Sequence, residues 1–95
     1  MSAKDFHIEQ NYPNPFNPST TIRFGLPEPS NVRLDVYDMT GKHIATLVSK
    51  RLSAGIHSVT WNGKDESGKA VASGVYLYRL ETDKFIDSKR MVLTK

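Results

Sequence analysis

Three histidines, His7, His43 and His57, and four aspartates, Asp35, Asp38, Asp83 and Asp87, are the side chains of this chain best equipped for chemistry. A zinc site needs ligands that converge, usually from short cysteine or histidine spacings. The histidines stand far apart in sequence, none beside another candidate ligand, and there is no cysteine. Asp65-Glu66-Ser67-Gly68 offers hard oxygens for calcium but lacks the alternating acids and distal glutamate of an EF-hand loop. It reads as a hydrated turn. The four aspartates could supply the carboxylate pair of a glycosidase, which works in a cleft at a set separation. They fall instead on turns or on the polar faces of strands, and 95 residues leave little room for a cleft. No nucleophile elbow, phosphate-binding glycine loop or metalloprotease helix motif is present. Tyr12, Tyr37, Tyr76 and Tyr78 could form a platform for sugar; Tyr37 has the parity of an outward residue, whereas Tyr76 and Tyr78 share one face of one strand and suit core packing. These residues predict no catalysis, no metal and no cofactor, and leave weak glycan or calcium binding open.

The elements that must carry these residues are strands. Apolar and polar residues alternate in segments about ten residues apart, separated by Gly, Pro, Asn and Asp. Phe6 and Ile8 open a short first strand. Asn11 to Pro18 holds three prolines, which lack amide donors, so it predicts a polyproline-like crossover, with Tyr12 and Phe16 folding inward to pin it. Thr20 to Leu26 places Ile22, Phe24 and Leu26 on one face. Val32, Leu34 and Val36 alternate with Arg33, Asp35 and Tyr37, and Asp38 to Lys42 is a tight connection with Gly41 free for positive φ. Ile44 to Val48 is apolar on both faces, which predicts a strand covered on both sides or lying centrally. His57, Val59 and Trp61 share a face; Tyr76, Tyr78 and Leu80 share another; Phe85 to Leu93 ends the chain. About seven short antiparallel strands predict an all-β, immunoglobulin-like sandwich with Trp61 at the centre of its core and no disulfide.

Composition bounds the possibilities. The chain fits one domain: residues 1–5 read as an added start or linker and residues 6–95 as the folded module. Hydrophobic residues make up 38% and charged residues 24%, a globular balance. No apolar run approaches the ~20 residues of a spanning helix, so no membrane insertion is expected. The net charge is +3. The bases alternate with apolar residues along strands rather than forming a stripe, so nucleic acid is not the expected partner. Met1 to Asp5 carries no apolar stretch behind its charge and is not a signal peptide. Export would need a signal upstream in a longer parent.

The run Asn11-Tyr12-Pro13-Asn14-Pro15-Phe16-Asn17-Pro18-Ser19-Thr20-Thr21-Ile22 resembles the opening of the C-terminal sorting domain of the type IX (Por) secretion system. Val36-Tyr37-Asp38 with Gly41, Leu52 to His57, Trp61-Asn62-Gly63-Lys64-Asp65, Ala72 to Leu80 and Ser88 to Leu93 are similar to later pieces of that family, in order. A related resemblance is to the immunoglobulin-like domain of flagellar hook-capping proteins, where the Trp61 to Asp65 and Ser73 to Tyr76 stretches also recur. The resemblance implies a secretion signal: an upstream cargo domain crosses the periplasm, an outer-membrane translocon grips this domain, and a sortase-like surface peptidase acts on it. The cargo would end secreted or on the cell surface. Asn14, Pro15, Phe16, Asn17, Pro18, Trp61 and Gly63 are then the structural motif. Gly74, Val75 and Tyr76 with Lys89, Arg90, Met91, Val92, Leu93 and Lys95 are the expected recognition surface, reading as charge plus a strand edge open to augmentation. Lys89 and Arg90 have a second reading, as charges that protect an edge from aggregation. The alternative function is an accessory spacer or weak carbohydrate-binding module of an extracellular enzyme.

Overall fold

The computed structural model describes residues 3–95. Seven strands follow in order: β1 (His7–Ile8), β2 (Thr20–Leu26), β3 (Ser30–Asp38), β4 (His43–Leu52), β5 (Gly55–Trp61), β6 (Gly74–Thr82) and β7 (Ile86–Leu93). They form a three-stranded sheet, β1-β2-β5, and a four-stranded sheet, β4-β3-β6-β7, with every pairing between strands antiparallel. This is the expected sandwich.

The alternation read from sequence decides which residues face inward. Ile22, Phe24 and Leu26 of β2 meet Val32, Leu34 and Val36 of β3 and Tyr76, Tyr78 and Leu80 of β6, all buried. Trp61 is 1% exposed and sits among aromatic neighbours: Phe16 at 5.7 Å and Tyr76 at 5.3 Å between ring centroids, both tilted. Such edge-on pairs are favoured because the positive ring edge meets the negative face of its partner. The indole N–H, which a dry core would leave unpaired, donates to the Lys64 carbonyl at 2.9 Å.

Two connections share one local design. In each, an aspartate side chain accepts the backbone N–H groups two and four residues on, and the hydroxyl two residues on donates to it. Asp38 serves Thr40 and Lys42; Asp65 serves Ser67 and Lys69. The residues are Asp-Met-Thr-Gly-Lys and Asp-Glu-Ser-Gly-Lys, with Gly41 and Gly68 at φ 90° and 86°. A residue with a Cβ resists that left-handed conformation, so glycine is required there. The bonds hold both carboxyls below the ordinary carboxylate range, the Thr40 and Ser67 hydroxyls acting most strongly. The Asp65 carboxylate is thus engaged in its own turn.

Four expectations need correction. The strand read as covered on both sides or central, β4, lies at the edge of its sheet, and Ile44, Leu47 and Val48 are only half-buried. It shows apolar residues on both faces because register shifts at Leu34/Asp35 and Val36/Tyr37 interrupt its alternation. Tyr12 is 78% exposed rather than folded inward; Phe16 alone pins the crossover. The crossover itself is a series of bends, with bridges at Tyr12 and Phe16, rather than an extended run. Asp35 has the predicted outward parity, yet its side chain is 1% exposed.

Candidate functional site at the closed flank

One flank of the sandwich is sealed by the residues that precede β2. Phe6 stacks on Phe85 at 5.6 Å, nearly parallel. Gln10 donates its side-chain amide to the Arg90 carbonyl at 2.6 Å. The buried Tyr78 hydroxyl, reaching from the other sheet, donates to the Glu9 carbonyl at 2.6 Å and accepts the Asn11 N–H at 2.9 Å. Burial pushes the Tyr78 hydroxyl pKa up to about 12. Buried Asn11 then ties the loop to itself through the Pro13 carbonyl and Thr20 hydroxyl.

The proline-rich segment continues as an edge cap on the terminal strand. β7 has β6 on one side only. On its other side, Asn14 accepts the Val92 N–H at 2.9 Å, Phe16 N–H donates to the Val92 carbonyl at 2.9 Å, and Thr94 N–H donates to the Phe16 carbonyl at 2.9 Å. Pro13 and Pro15 flank Asn14, and Pro15 precedes Phe16; having no N–H, these prolines add no unpaired donor of their own beside the bonds that Asn14 and Phe16 make. Phe16 fixes the cap by filling the core beside Trp61. Gly63 completes the contact. Its φ is 72°, and a Cβ there would stand 3.2 Å from the Pro18 carbonyl oxygen and 3.6 Å from Leu93. Asn14, Phe16, Trp61, Gly63 and Leu93, scattered through the sequence, thus meet in one place; Pro15, Asn17 and Pro18 lie on the exposed surface of the same loop.

The expected recognition residues divide by register. Tyr76 pairs with Met91 and Gly74 with Leu93; the side chains of Tyr76, Met91 and Leu93 face the core at 6% exposure or less and cannot touch a partner in the folded state. Val75 pairs with Val92 and Leu77 with Arg90, on the outward face. Arg90 and Lys95 are exposed, Val75 is 39% exposed, and Lys89 and Val92 are half-buried. The edge at Val92 and Thr94 is already capped, so augmentation of β7 is confined to the part before Arg90.

Sequence reading missed a polar cluster on the outer face of the four-stranded sheet. Asp35 is held by Arg33 Nε at 2.7 Å, Thr46 Oγ1 at 2.7 Å and His43 Nε2 at 2.9 Å. Burial would push its carboxyl up, but the bonds from Arg33, Thr46 and His43 and the Arg33 charge outweigh burial and hold it below the ordinary range. His43, which the sequence left without a partner, finds it here. The trio has the residue types of a hydrolytic triad and the wrong wiring. A triad needs one ring nitrogen on the carboxylate and the other on the hydroxyl. Here His43 Nε2 contacts both Asp35 and Thr46, the latter at 3.0 Å, and Thr46 donates to Asp35. Among the described residues no three His, Cys, Asp or Glu side chains converge as a metal site.

The molecule is therefore an immunoglobulin-like sandwich whose distinctive residues sit at strand edges rather than around a pocket of converging reactive groups. The chain belongs to the FlgD Ig-like domain family, which matches residues 13–84. It is 36% identical over 61 residues to the basal-body rod modification protein FlgD of Salmonella typhimurium and, equally, to that of Salmonella typhi. That alignment covers 61% of this chain and 26% of the relative, so the chain spans about a quarter of the length of the curated relatives it matches. Among solved structures it is similar to FlgD from P. aeruginosa, at 27% identity and a TM-score of 0.62, covering 78% of this chain and 59% of that one. Latent PorU from Porphyromonas gingivalis superposes over 95% of this chain and 9% of its own, with a TM-score of 0.75 at 20% identity. PorZ from the same organism covers 99% of this chain and 12% of its own, with a TM-score of 0.62 at 22% identity. At those identities PorU and PorZ share the fold. The family matched is the hook-capping one, which the sequence reading placed second; β7 lies beyond the matched stretch.

Proposed function

We propose that this chain is a non-catalytic sorting module that carries an upstream cargo domain through the periplasm and across the outer membrane to the cell surface. The observation that supports this reading is the cap on β7. The proline-rich opening that resembles the sorting family is bonded to the terminal strand by Asn14 and Phe16. Cargos differ, so a translocon must grip something they share, and a rigid body with a fixed final strand is such a feature. The accessible part of the grip is Val75, Arg90, Lys95 and the uncapped start of β7. Met91, Leu93 and Tyr76 act by holding that strand in place. PorZ, whose solved structure has this fold, is an essential bacterial surface component of the type-IX secretion system, which fits this setting. A sortase-like peptidase is a further partner under the proposal.

A second reading is favoured by the match over residues 13–84: an immunoglobulin-like module with a structural place in a larger assembly, as the hook-capping relatives have. One experiment separates the two. A reporter with a signal peptide is fused ahead of this chain in a host that has the type IX system. The reporter is expected at the cell surface, and Arg90→Glu with Lys95→Glu is expected to strand it in the periplasm with the domain still folded. A wild-type fusion that stays in the periplasm overturns the sorting reading.

A further inference from the structure

The flank opposite the cap is open. Among the described residues β4 pairs only with β3 and β5 only with β2, so two strand edges face each other across the gap between the sheets. Between them lies a hollow of 410 Å³ lined by Phe24, Leu47, Val48, Leu52, His57 and Val59. It adjoins a second hollow of 470 Å³ that also reaches Leu47 and runs down to the Asp65 turn. Leu47, Val48, Leu52 and Val59 are half-buried, packed on the core from one side only. On the closed flank, the equivalent gap is filled by Phe6, Phe85 and the proline-rich cap.

Charge indicates the occupant. From His43 to Lys64, which spans both edge strands and the turn joining them, there is no Asp or Glu; the ionisable residues are His43, Lys50, Arg51, His57 and Lys64. Acids bordering the gap are at its lower end and are engaged. Glu66 accepts the Thr46 N–H and donates its own N–H to the Ile44 carbonyl, which caps the first part of the β4 edge; Asp65 is held in its turn. Among the described residues nothing covers the edge from Val48 to Leu52 in this way.

We propose that this open flank binds an extended acidic segment of a partner protein, added as a strand between β4 and β5. Its backbone would pair with a free edge, its alternate apolar side chains would fill the hollow over Phe24 and Leu47, and its outward carboxylates would meet Arg51, while Lys50, whose register puts it on the inner side, stands at the rim of the hollow and adds to the positive field there. Edge addition of this kind draws affinity from main-chain hydrogen bonds and specificity from alternate side chains. A second copy of this chain is disfavoured as occupant, since its own edges here are basic and would repel. The proposal stands apart from the sorting reading: it concerns the other flank and needs no translocon.

The test is a titration of the isotope-labelled chain with a short peptide alternating valine and glutamate, followed by NMR. Amide shifts are expected from Val48 to Leu52 and from Ile56 to Val59, weakening as salt is raised. Lys50→Glu with Arg51→Glu should reduce affinity at least tenfold, and Val59→Lys should do the same with Lys50 and Arg51 intact. A counterpart peptide with lysine for glutamate should leave these amides unmoved. Equal response to both peptides, shifts confined to β7, or self-association through β4 and β5 seen by sedimentation would overturn the proposal.

Discussion

At the scale of single residues, Tyr78 and Asp35 carry the interactions most sensitive to change. Tyr78, on the inner face of β6, reaches across to the segment that follows β1 with a hydroxyl that both donates and accepts. Replacing it with phenylalanine leaves the Asn11 N–H, which is buried, without a partner; a loss of about 1–3 kcal/mol is expected in urea unfolding at neutral pH. The same residue sets a behaviour at high pH. Folding raises its pKa to about 12, from an ordinary value near 10. The fold thus prefers the neutral hydroxyl, and the associated stability is whole below about pH 10 and is lost as pH rises towards 12. A shift of that size corresponds to on the order of 2 kcal/mol. Unfolding free energies at pH 9 and pH 11.5 should differ more in the wild type than in Tyr78→Phe. Asp35 behaves in the opposite sense. Its folded pKa is lowered, so its contribution is present above the unfolded value near 4 and fades as pH falls through the folded one. Asp35→Asn should lessen the acid dependence of stability, read as a shallower fall in midpoint between pH 5 and pH 2.

Among the elements, the turns and the proline-rich cap show what local chemistry decides. The Asp-x-Thr/Ser-Gly-Lys repeat at residues 38–42 and 65–69 is present in the sequence and points to two self-capping turns of one design; the sequence reads the first as a hairpin connection and the second as a hydrated turn, and what it does not show without the hydrogen bonds is that the two are the same. Gly41→Ala meets no neighbour, since nothing lies within 4 Å of the added methyl, so its expected cost of ~1 kcal/mol comes from the positive φ alone. A thermal unfolding comparison with Thr40→Ala, which removes the hydroxyl that bonds Asp38, separates backbone from side-chain effects. The cap on β7 is a different case. The sequence turns both Tyr12 and Phe16 inward, and only Phe16 is buried; its bond to Val92, far along the chain, was not legible, because nothing local to Asn14 or Phe16 specifies which edge they meet. Phe16→Ala should destabilise by about 3–5 kcal/mol, the cost of emptying an aromatic core position. Asn14→Ala should cost far less, with the added result that the Val92 amide exchanges faster with solvent. Strand alternation located β2, β3, β5, β6 and β7; for β4 the bulges break the period of two, and an apolar pattern on both faces of an edge strand looks like a central strand.

For the molecule as a whole, the decisive feature is that the chain's beginning and end are joined across one flank while the other flank stays open. The sandwich has no disulfide, and its pairings connect residues distant in sequence, β3 with β6 and β2 with β5, so each must close a long loop before it is rewarded. Burial of Asp35 and the position of β4 were hidden for this reason: both depend on which strands become neighbours, which periodicity does not encode. The terminal strand is where this dependence is greatest. A chain ending at residue 84, where the family match stops, loses Met91 and Leu93 from the core and leaves β6, with Tyr76, Tyr78 and Leu80 on its inner face, at an uncovered edge. It also leaves Asn14 and Phe16 with no strand to cap. Losing two fully buried side chains at about 2–5 kcal/mol each is comparable to the whole stability of a domain of this size. The truncated chain should therefore lack a cooperative thermal transition and bind a hydrophobic dye, whereas the chain ending at Thr94 should unfold in a single step. A cooperative, native-like transition in the shorter chain would mean that residues 13–84 suffice for the fold and that β7 is held by the module rather than holding it together.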